Sequence, residues 1–461
     1  MALTQLHARI HRFNTWLQTP EDGAGLAIFR VAFGLAMAWD AWQYLSKGWA
    51  WTLYSNHAFM FKYWGFGWVE PLSANGMAGL YVGMFIASLL VAFGAFYRAA
   101  ISFFFLAHTY AFLLEVSLFL NHAYLISLVA FLLIWIPANR CFAYDARRRP
   151  ELAAQPTPRW CRFALQAQLA IVYGYGAIAK LNYDWIAGAP IAQWMQNSAA
   201  RNPWAADIIA APELVPIISW GGLLFDALIV PALLWRRTRA LAVVVSLGFH
   251  LSNSILFEIG VFPWMMLAAT TLFFAPDWPR RVPLLRDLLR PWDPQFSSSA
   301  SARWVWVPVG VWLAVQIAMP LRHHLYPGDV AWTEQGALYS WRMKLRSKQG
   351  YASFRVRDPQ ADREWRVFPA DELNRRQMNM MVGHPELILQ YAHHLAEREG
   401  QRLGHPVEVR ADVFTSLNYR EPQRLIDPER DLAGERASLR AYDWILPFEW
   451  TEPPRPDYSR E

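Results

Sequence analysis

Residues 77–97 read MAGLYVGMFIASLLVAFGAFY, twenty-one positions in a row without a charged side chain. About 20 mostly apolar residues in a helix cross the hydrocarbon core of a bilayer, so this stretch predicts a membrane-spanning helix. The pattern recurs on both sides of it. Ala99–Leu114, Val116–Asn139, Phe163–Ala179, Ala240–Phe257, Ile259–Pro276 and Trp304–Leu321 also lack Asp, Glu, Lys and Arg, while Val215–Trp235 holds only Asp226 and Gly25–Leu45 holds Arg30 and Asp40. That gives nine candidate spans. Arg98, Glu115, Arg140, Glu258 and the run Arg236-Arg237-Thr238-Arg239 fall between them, where a helix leaves the bilayer, because unpaired charge at mid-depth is costly.

Charge is distributed unevenly along the 461 residues. The chain has 43 Lys+Arg and 37 Asp+Glu; residues 1–320 hold 37 of these charges, and the last 141 residues hold 43. The first part is too poor in charge to cover a soluble surface, and the second has ordinary soluble composition. A single soluble domain, a disordered chain and a coiled coil are excluded. The expected fold is an α-helical polytopic membrane protein with a smaller mixed α/β C-terminal domain: a basic N-terminus over 1–24, a membrane domain over 25–321 and an extracytoplasmic domain over 322–461.

Orientation follows from the basic turns. With the N-terminus in the cytoplasm, Arg98, the loop with Arg140, Arg147, Arg148, Arg149, Arg159 and Arg162, the Arg236–Arg239 run, and Arg280, Arg281, Arg286 and Arg290 all fall inside, as the positive-inside rule requires. The C-terminal domain then lies outside, periplasmic if the membrane is a bacterial inner one. No cleaved signal peptide is read. The outer loops carry Trp49, Trp51, Tyr54, Tyr63, Trp64, Trp68, Trp185 and Trp194, which predicts an interfacial belt, with amphipathic helices over Ser46–Gly76 and Trp185–Ala211. Pro291–Ser301 reads as a polar connector. In the soluble part, Tyr351–Arg357 and Glu364–Phe368 alternate around Asp358-Pro359-Gln360 as a hairpin. Asp371–Gln401 is helical with a break at Gly383-His384-Pro385, and Pro406–Phe414 is a strand.

Cys141 and Cys161 make neither a disulfide framework nor a zinc pattern, and no His/Cys/acidic cluster has metal-ligand spacing. No basic stripe with aromatics points to nucleic acid. Nucleotide and serine-hydrolase motifs are absent.

Some polar residues remain in the spans. Lys180 ends the apolar run Phe163–Ala179, behind Tyr173-Gly174-Tyr175-Gly176. It is either a snorkelling lysine paired with Asp184 at i,i+4, or a base in a membrane-embedded site whose amine desolvation keeps neutral. Asn121 and His122 open the fourth span, as a cap and an interfacial imidazole or as a donor and a proton carrier facing a cavity. His250 and Asn253 share a face of the seventh span, and Arg322, His323 and His324 follow the ninth. Each alone reads as packing or capping. Together they bring ionisable groups from four spans to one depth near the outer leaflet, which raises the odds of a site. Arg30 and Asp40 are about 15 Å apart along a helix and are expected to find partners on other helices.

Several segments resemble the vitamin K-dependent γ-glutamyl carboxylase family, whose membrane part is also called the HTTM domain. They are Asn121-His122-Ala123-Tyr124-Leu125 running to Pro137-Ala138-Asn139-Arg140; Gln168–Trp185, QLAIVYGYGAIAKLNYDW; Phe249–Gly260, FHLSNSILFEIG; Ala275–Arg280, APDWPR; and Tyr339-Ser340-Trp341-Arg342-Met343. The resemblance implies an integral membrane enzyme that oxidises a reduced naphthoquinone (menaquinol or a phylloquinol type) with O2 to the epoxide and carboxylates a peptide glutamate with CO2, without a metal. It puts the family's base at Lys180 and its carboxylation-stage histidine at His122, with Asn121 beside it. His250, Asn253, Tyr173, Tyr175, Arg322 and His323 are then candidates for binding the quinol or the substrate. The implied partners are membrane lipid, quinol and a Glu-containing secreted peptide or protein. Three alternatives stand beside this reading: a quinol epoxidase without carboxylation, a non-enzymatic lipid or quinone carrier or transporter, and a membrane anchor whose work lies in the C-terminal domain. Animal members of the family carry a much longer lumenal region than the roughly 140 residues expected here after the last span, a length typical of one domain.

Overall fold

The computed structural model describes residues 2–55, 58–153, 155–257, 259–286 and 306–454. Each apolar run becomes a helix: α1 (Ala24–Ser46), α2 (Ala74–Phe93), α3 (Tyr97–Leu113), α4 (Asn121–Trp135), α5 (Arg159–Lys180), α6 (Leu214–Leu234), α7 (Arg239–Leu256), α8 (Phe262–Thr270) and α9 (Trp306–Leu321). Among the described residues, four of these are both long and apolar enough to cross a membrane: α1, α2, α6 and α7. The expected count of nine is not reached on that measure. With nine residues, α8 rises about 14 Å, less than half of a 30 Å hydrocarbon core, and α4 has only 15 residues. The extended backbone at Ile136 and the tight 3-10 turn over Thr271–Phe273 shorten runs that look continuous when only charge is counted. The Glu258 boundary, Arg290 and the Pro291–Ser301 connector lie outside the described residues.

Small residues set the helix packing. A Cβ on Gly34 of α1 would sit 2.6 Å from the Ala92 nitrogen of α2, so the two backbones meet where only glycine fits. Ser73 caps α2 by accepting a hydrogen bond from the Gly76 N–H at 3.2 Å, and Gly94 ends the helix at φ 62°.

The basic turns gather at one end of the bundle. Glu21 accepts from Arg159 and Arg162 at 2.8 Å, and Asp22 accepts from Arg280. Asp145 takes the Phe96 and Tyr97 N–H groups that start α3. Arg30 is fully buried here. It was expected to pair with another helix, and it does so through carbonyls rather than a carboxylate: Ala92 and Ala138 at 3.2 Å and Phe142 at 2.5 Å. Oxygens left over where α2 and α4 end are thereby satisfied.

The C-terminal half contains β1 (Lys348–Asp358), β2 (Arg363–Val367), α10 (Arg375–Met381), α11 (Pro385–Leu403), β3 (Glu408–Leu417) and β4 (Gln423–Arg424). The sheet order is β2-β1-β3-β4, antiparallel throughout, with Phe354 opposite Val367 and Arg357 opposite Glu408. The hairpin, the helix break at Gly383-His384-Pro385 and β3 fall where alternation and Pro/Gly signals predict them, while the short β4 has no such signal. Asp358 accepts from the Gln360 and Ala361 N–H groups to make the turn. One face of the sheet buries Phe354, Val356, Val409 and Ala411 against Ile388, Ala392 and Leu395 of α11.

Two outer-loop expectations need correction. The described residues of 46–76 do not form one amphipathic helix: between the short turn Trp49–Thr52 and the start of α2 at Ala74 they are irregular, and Phe61 and Tyr63 enter the core of the C-terminal half. Trp185 is also buried rather than interfacial, whereas Trp64 and Trp68 are exposed. Polar contacts fix the same junction. Lys62 N–H donates to Gln390 Oε1 while Gln390 Nε2 donates to the Lys62 carbonyl, both at 2.9 Å, and Gln377 Nε2 reaches Glu115 Oε2 at 3.1 Å.

Candidate functional site

Lys180 is the last residue of α5, at the end opposite Arg159 and Arg162. Its side chain does not snorkel. It is 7% exposed and turns inward to an ion pair with the Asp226 carboxylate of α6. The i,i+4 partner expected for it, Asp184, is engaged elsewhere, by Arg420. The alternative reading leaves the amine to desolvation alone, but the structure gives it a carboxylate.

Two glycines make this pairing sterically possible. A Cβ on Gly176 of α5 would lie 2.8 Å from Asp226 Oδ2, and one on Gly222 of α6 would lie 3.3 Å from Trp185 and 3.8 Å from Lys180 Cε. Without side chains there, α5 and α6 close around the pair. Trp185 covers it, with its ring 5.2 Å from Nζ and its indole N–H donating to the Ser219 carbonyl at 3.0 Å.

The pair faces a cavity of about 920 Å³. Asn121, His122, Tyr173, His250 and Asn253 line the same space. Tyr173 Oη and His250 Nε2 are 3.2 Å apart, and His250 is 1% exposed. Its Nδ1 has no hydrogen-bond partner among the described residues. Phe262 lies between the two imidazoles, with ring centroids 5.8 Å from His122 and 6.4 Å from His250. Phe249, Phe257, Ile259 and Met266 supply apolar wall, and Met343, Lys344 and Arg376 of the C-terminal half close one side. The size is within the usual range for small-molecule sites, and so is the character: aromatic walls with a few convergent polar groups.

Three expected site residues lie elsewhere. Tyr175 donates to the Ile317 carbonyl at 2.6 Å. Arg322 donates to the Leu338 carbonyl at 2.5 Å and stacks over the Tyr339 ring. His323 Nδ1 is 2.7 Å from the Pro320 carbonyl. These are contacts that tie α9 to its surroundings.

Sequence reasoning missed other residues. Asp226, Asp40, Lys47, Lys344 and Arg376 all line the cavity. A small adjoining cavity of about 60 Å³ places His108 beside His122, Tyr44 and Tyr54, with His108 Nδ1 3.1 Å from Ser127 Oγ. One signal was available: Asp226 is the single charge in its span, and a buried charge needs a counter-ion.

A family model described as the HTTM domain matches residues 18–278, and one described as the vitamin K-dependent gamma-carboxylase lumenal domain matches residues 301–451. No solved structure matches the chain significantly.

Proposed function

Because this chain belongs to the HTTM-containing vitamin K-dependent gamma-carboxylase family, we propose that it is a membrane enzyme coupling oxygenation of a reduced naphthoquinone to carboxylation of a peptide glutamate. The observation that carries the reading is one cavity presenting Lys180, Asp226, His122 and His250 between aromatic walls. Bound there, the quinol supplies the electrons that reduce O2 and, through its oxygenation, the driving force for carboxylation.

The chain's own residues supply the remainder. The buried His250 Nδ1, which has no hydrogen-bond partner among the described residues, and the aromatic walls fit a flat ring bearing hydroxyl groups. Lys180 Nζ takes the hydroxyl proton, and His122 and Asn121 serve the carboxylation stage across the cavity. Trp185 covers the amine, and the burial of Lys180 keeps bulk water from it. Among the described lining residues, Lys47 and Arg376 stand against Asp40 once Lys180 and Asp226 have cancelled. That surplus of positive charge favours an anionic second substrate, in keeping with a glutamate carboxylate.

The orientation we propose has the Arg-rich turns in the cytoplasm and the C-terminal half on the periplasmic side of a bacterial inner membrane. The quinol then enters from lipid and the peptide from the aqueous outer face.

The test is to incubate purified protein with reduced menaquinone, O2, labelled bicarbonate and a Glu-containing peptide, and to assay epoxide and incorporated label. Both products from wild type and neither from Lys180→Ala supports the reading. Epoxide without label makes it an epoxidase, equal activity in both proteins removes Lys180 as base, and no epoxide in wild type favours a carrier.

A further inference from the structure

We propose that Lys180 and Asp226 form one proton-holding unit, which shares a proton at rest and takes a second from the acidic hydroxyl of the cosubstrate, so that Asp226 is a positioning residue for the base. The second half of this statement rests on the function proposed above; the shared proton does not.

The argument starts from charge in a dry place. Lys180 Nζ and Asp226 Oδ2 are in contact, both side chains are at least nine-tenths buried, and Gly176 and Gly222 leave just the room the contact needs. A lone ammonium or a lone carboxylate is expensive to hold in such a space. The pair with one proton is neutral whether that proton sits on nitrogen or on oxygen.

This changes what deprotonation costs. When the substrate O–H bond breaks, its electron pair stays on the substrate oxygen and a new N–H bond forms at Nζ, while the shared proton rests on Asp226 Oδ2. The unit becomes +1 as the oxyanion becomes −1, so the site as a whole stays neutral. With the carboxylate ionised throughout, the site would instead carry net negative charge.

The neighbours permit it. Tyr173, on α5, carries a hydroxyl bonded to His250 of α7, and the Met343 methyl group would be 3.8 Å from a Cβ on Gly176. Lys344 and Arg376 line the roof, and His122, Asp40 and Lys47 the remaining wall. Among the described residues, Lys180 is the group that makes an ion pair with Asp226.

The test has an arm that needs no turnover. Infrared spectra of purified protein without quinol are titrated with pH in wild type, Asp226→Asn and Lys180→Met. Support is a protonated-carboxyl band that titrates in wild type, is missing in Asp226→Asn, and moves its midpoint by about one pH unit or more in Lys180→Met. In the activity arm, Asp226→Asn should lose about 100-fold in kcat with little change in the quinol KM, and its pH–rate profile should shift. Asp226→Glu should recover part of the rate. An unaltered infrared titration together with an unaltered pH–rate profile in Asp226→Asn overturns the proposal. If wild type forms no epoxide while the infrared titration behaves as expected, the pairing stands and the enzymatic reading falls. Should Asp226→Asn fail to fold, Lys180→Met/Asp226→Asn, which buries no lone charge, serves as the infrared blank.

Discussion

Asp184 receives both ends of the Arg420 guanidinium, Nη1 to Oδ2 and Nη2 to Oδ1, each at 2.7 Å, across 236 residues of sequence. Asn418 Nδ2 adds a third hydrogen bond at 2.6 Å, and Arg420 Nε donates to the Thr451 carbonyl. Asp184 stands four residues beyond Lys180, so this clamp ties the end of the lysine helix to the C-terminal half. The Arg420 side chain is 1% exposed, which removes most solvent screening.

Arg420→Ala should therefore destabilise the protein by about 3 kcal/mol, the lower end for breaking a buried ion pair, because Asp184 keeps 14% of its side chain exposed. Arg420→Lys should rescue little, because an ammonium cannot make the two parallel bonds. Thermal unfolding in detergent measures both. A loss below about 1 kcal/mol, the range of exposed ion pairs, would mean the clamp is ornamental.

Gly176→Ala places a methyl group 2.8 Å from Asp226 Oδ2. The carboxylate must move and take the Lys180 amine with it, and misplacing a catalytic group by about an ångström costs on the order of 100-fold in rate. Epoxide formation should fall by that order while the unfolding temperature changes by only a few degrees. Gly222→Ala, at 3.3 Å from the edge of Trp185, should be milder.

Lys180→Arg should be as inactive as Lys180→Ala, since a guanidinium stays charged and cannot accept a proton. Measurable epoxide from Lys180→Arg would show that the positive charge, and not the base, is what the site requires.

Acid should weaken the C-terminal half in two steps. Glu334 lies beside Arg346, Lys348 at 3.2 Å and His384 at 3.6 Å. Burial works to raise Glu334, but these partners overcome it and hold the carboxyl down to about 2, from an ordinary 4.5. Burial pushes His384 down to about 4, from 6.5, despite Glu334 nearby. Both folded values are depressed, so the unfolded chain binds more protons from pH 6.5 to about 4 through His384, and from 4.5 to about 2 through Glu334. Stability rises with pH across both windows and is lost on acidification. In His384→Gln the decline between pH 6.5 and about 4 should flatten while the lower one persists, as read from unfolding temperature against pH.

Arg30→Met should cost on the order of 3 kcal/mol, because it leaves buried carbonyls of Ala92, Ala138 and Phe142 short of a charged donor. The protein that still folds should keep its turnover, since Arg30 sits at the end of the bundle away from Lys180. A parallel loss of specific activity would contradict that separation.

Helices were legible wherever charge was absent for about twenty positions, because the bilayer imposes that length directly. Their number as true crossings was not, since the breaks at Ile136 and Thr271 are backbone events in uncharged sequence. The strands of the C-terminal half could be read from alternation around Asp358 and from the Gly383–Pro385 break. Lys180, His122, Asn121, Tyr173, His250 and Asn253 could be gathered by depth and resemblance, and they do line one cavity. Asp226 was not gathered with them, although its isolation in Val215–Trp235 was visible, because nothing in spacing links it to a lysine 46 residues away. Tyr175, Arg322 and His323 were drawn in by depth alone, which says nothing of the direction in which a side chain points.

Phe61 and Tyr63 come from the N-terminal half yet sit among the side chains that hold the C-terminal sheet to its helix. Neither half is then a self-contained module. A chimera that borrows its last 140 or so residues from a relative would have to borrow these two rings as well, or mature with a vacancy on one side and a greasy protrusion on the other. Recombination and drift along this gene are thus constrained jointly at segments far apart in the chain.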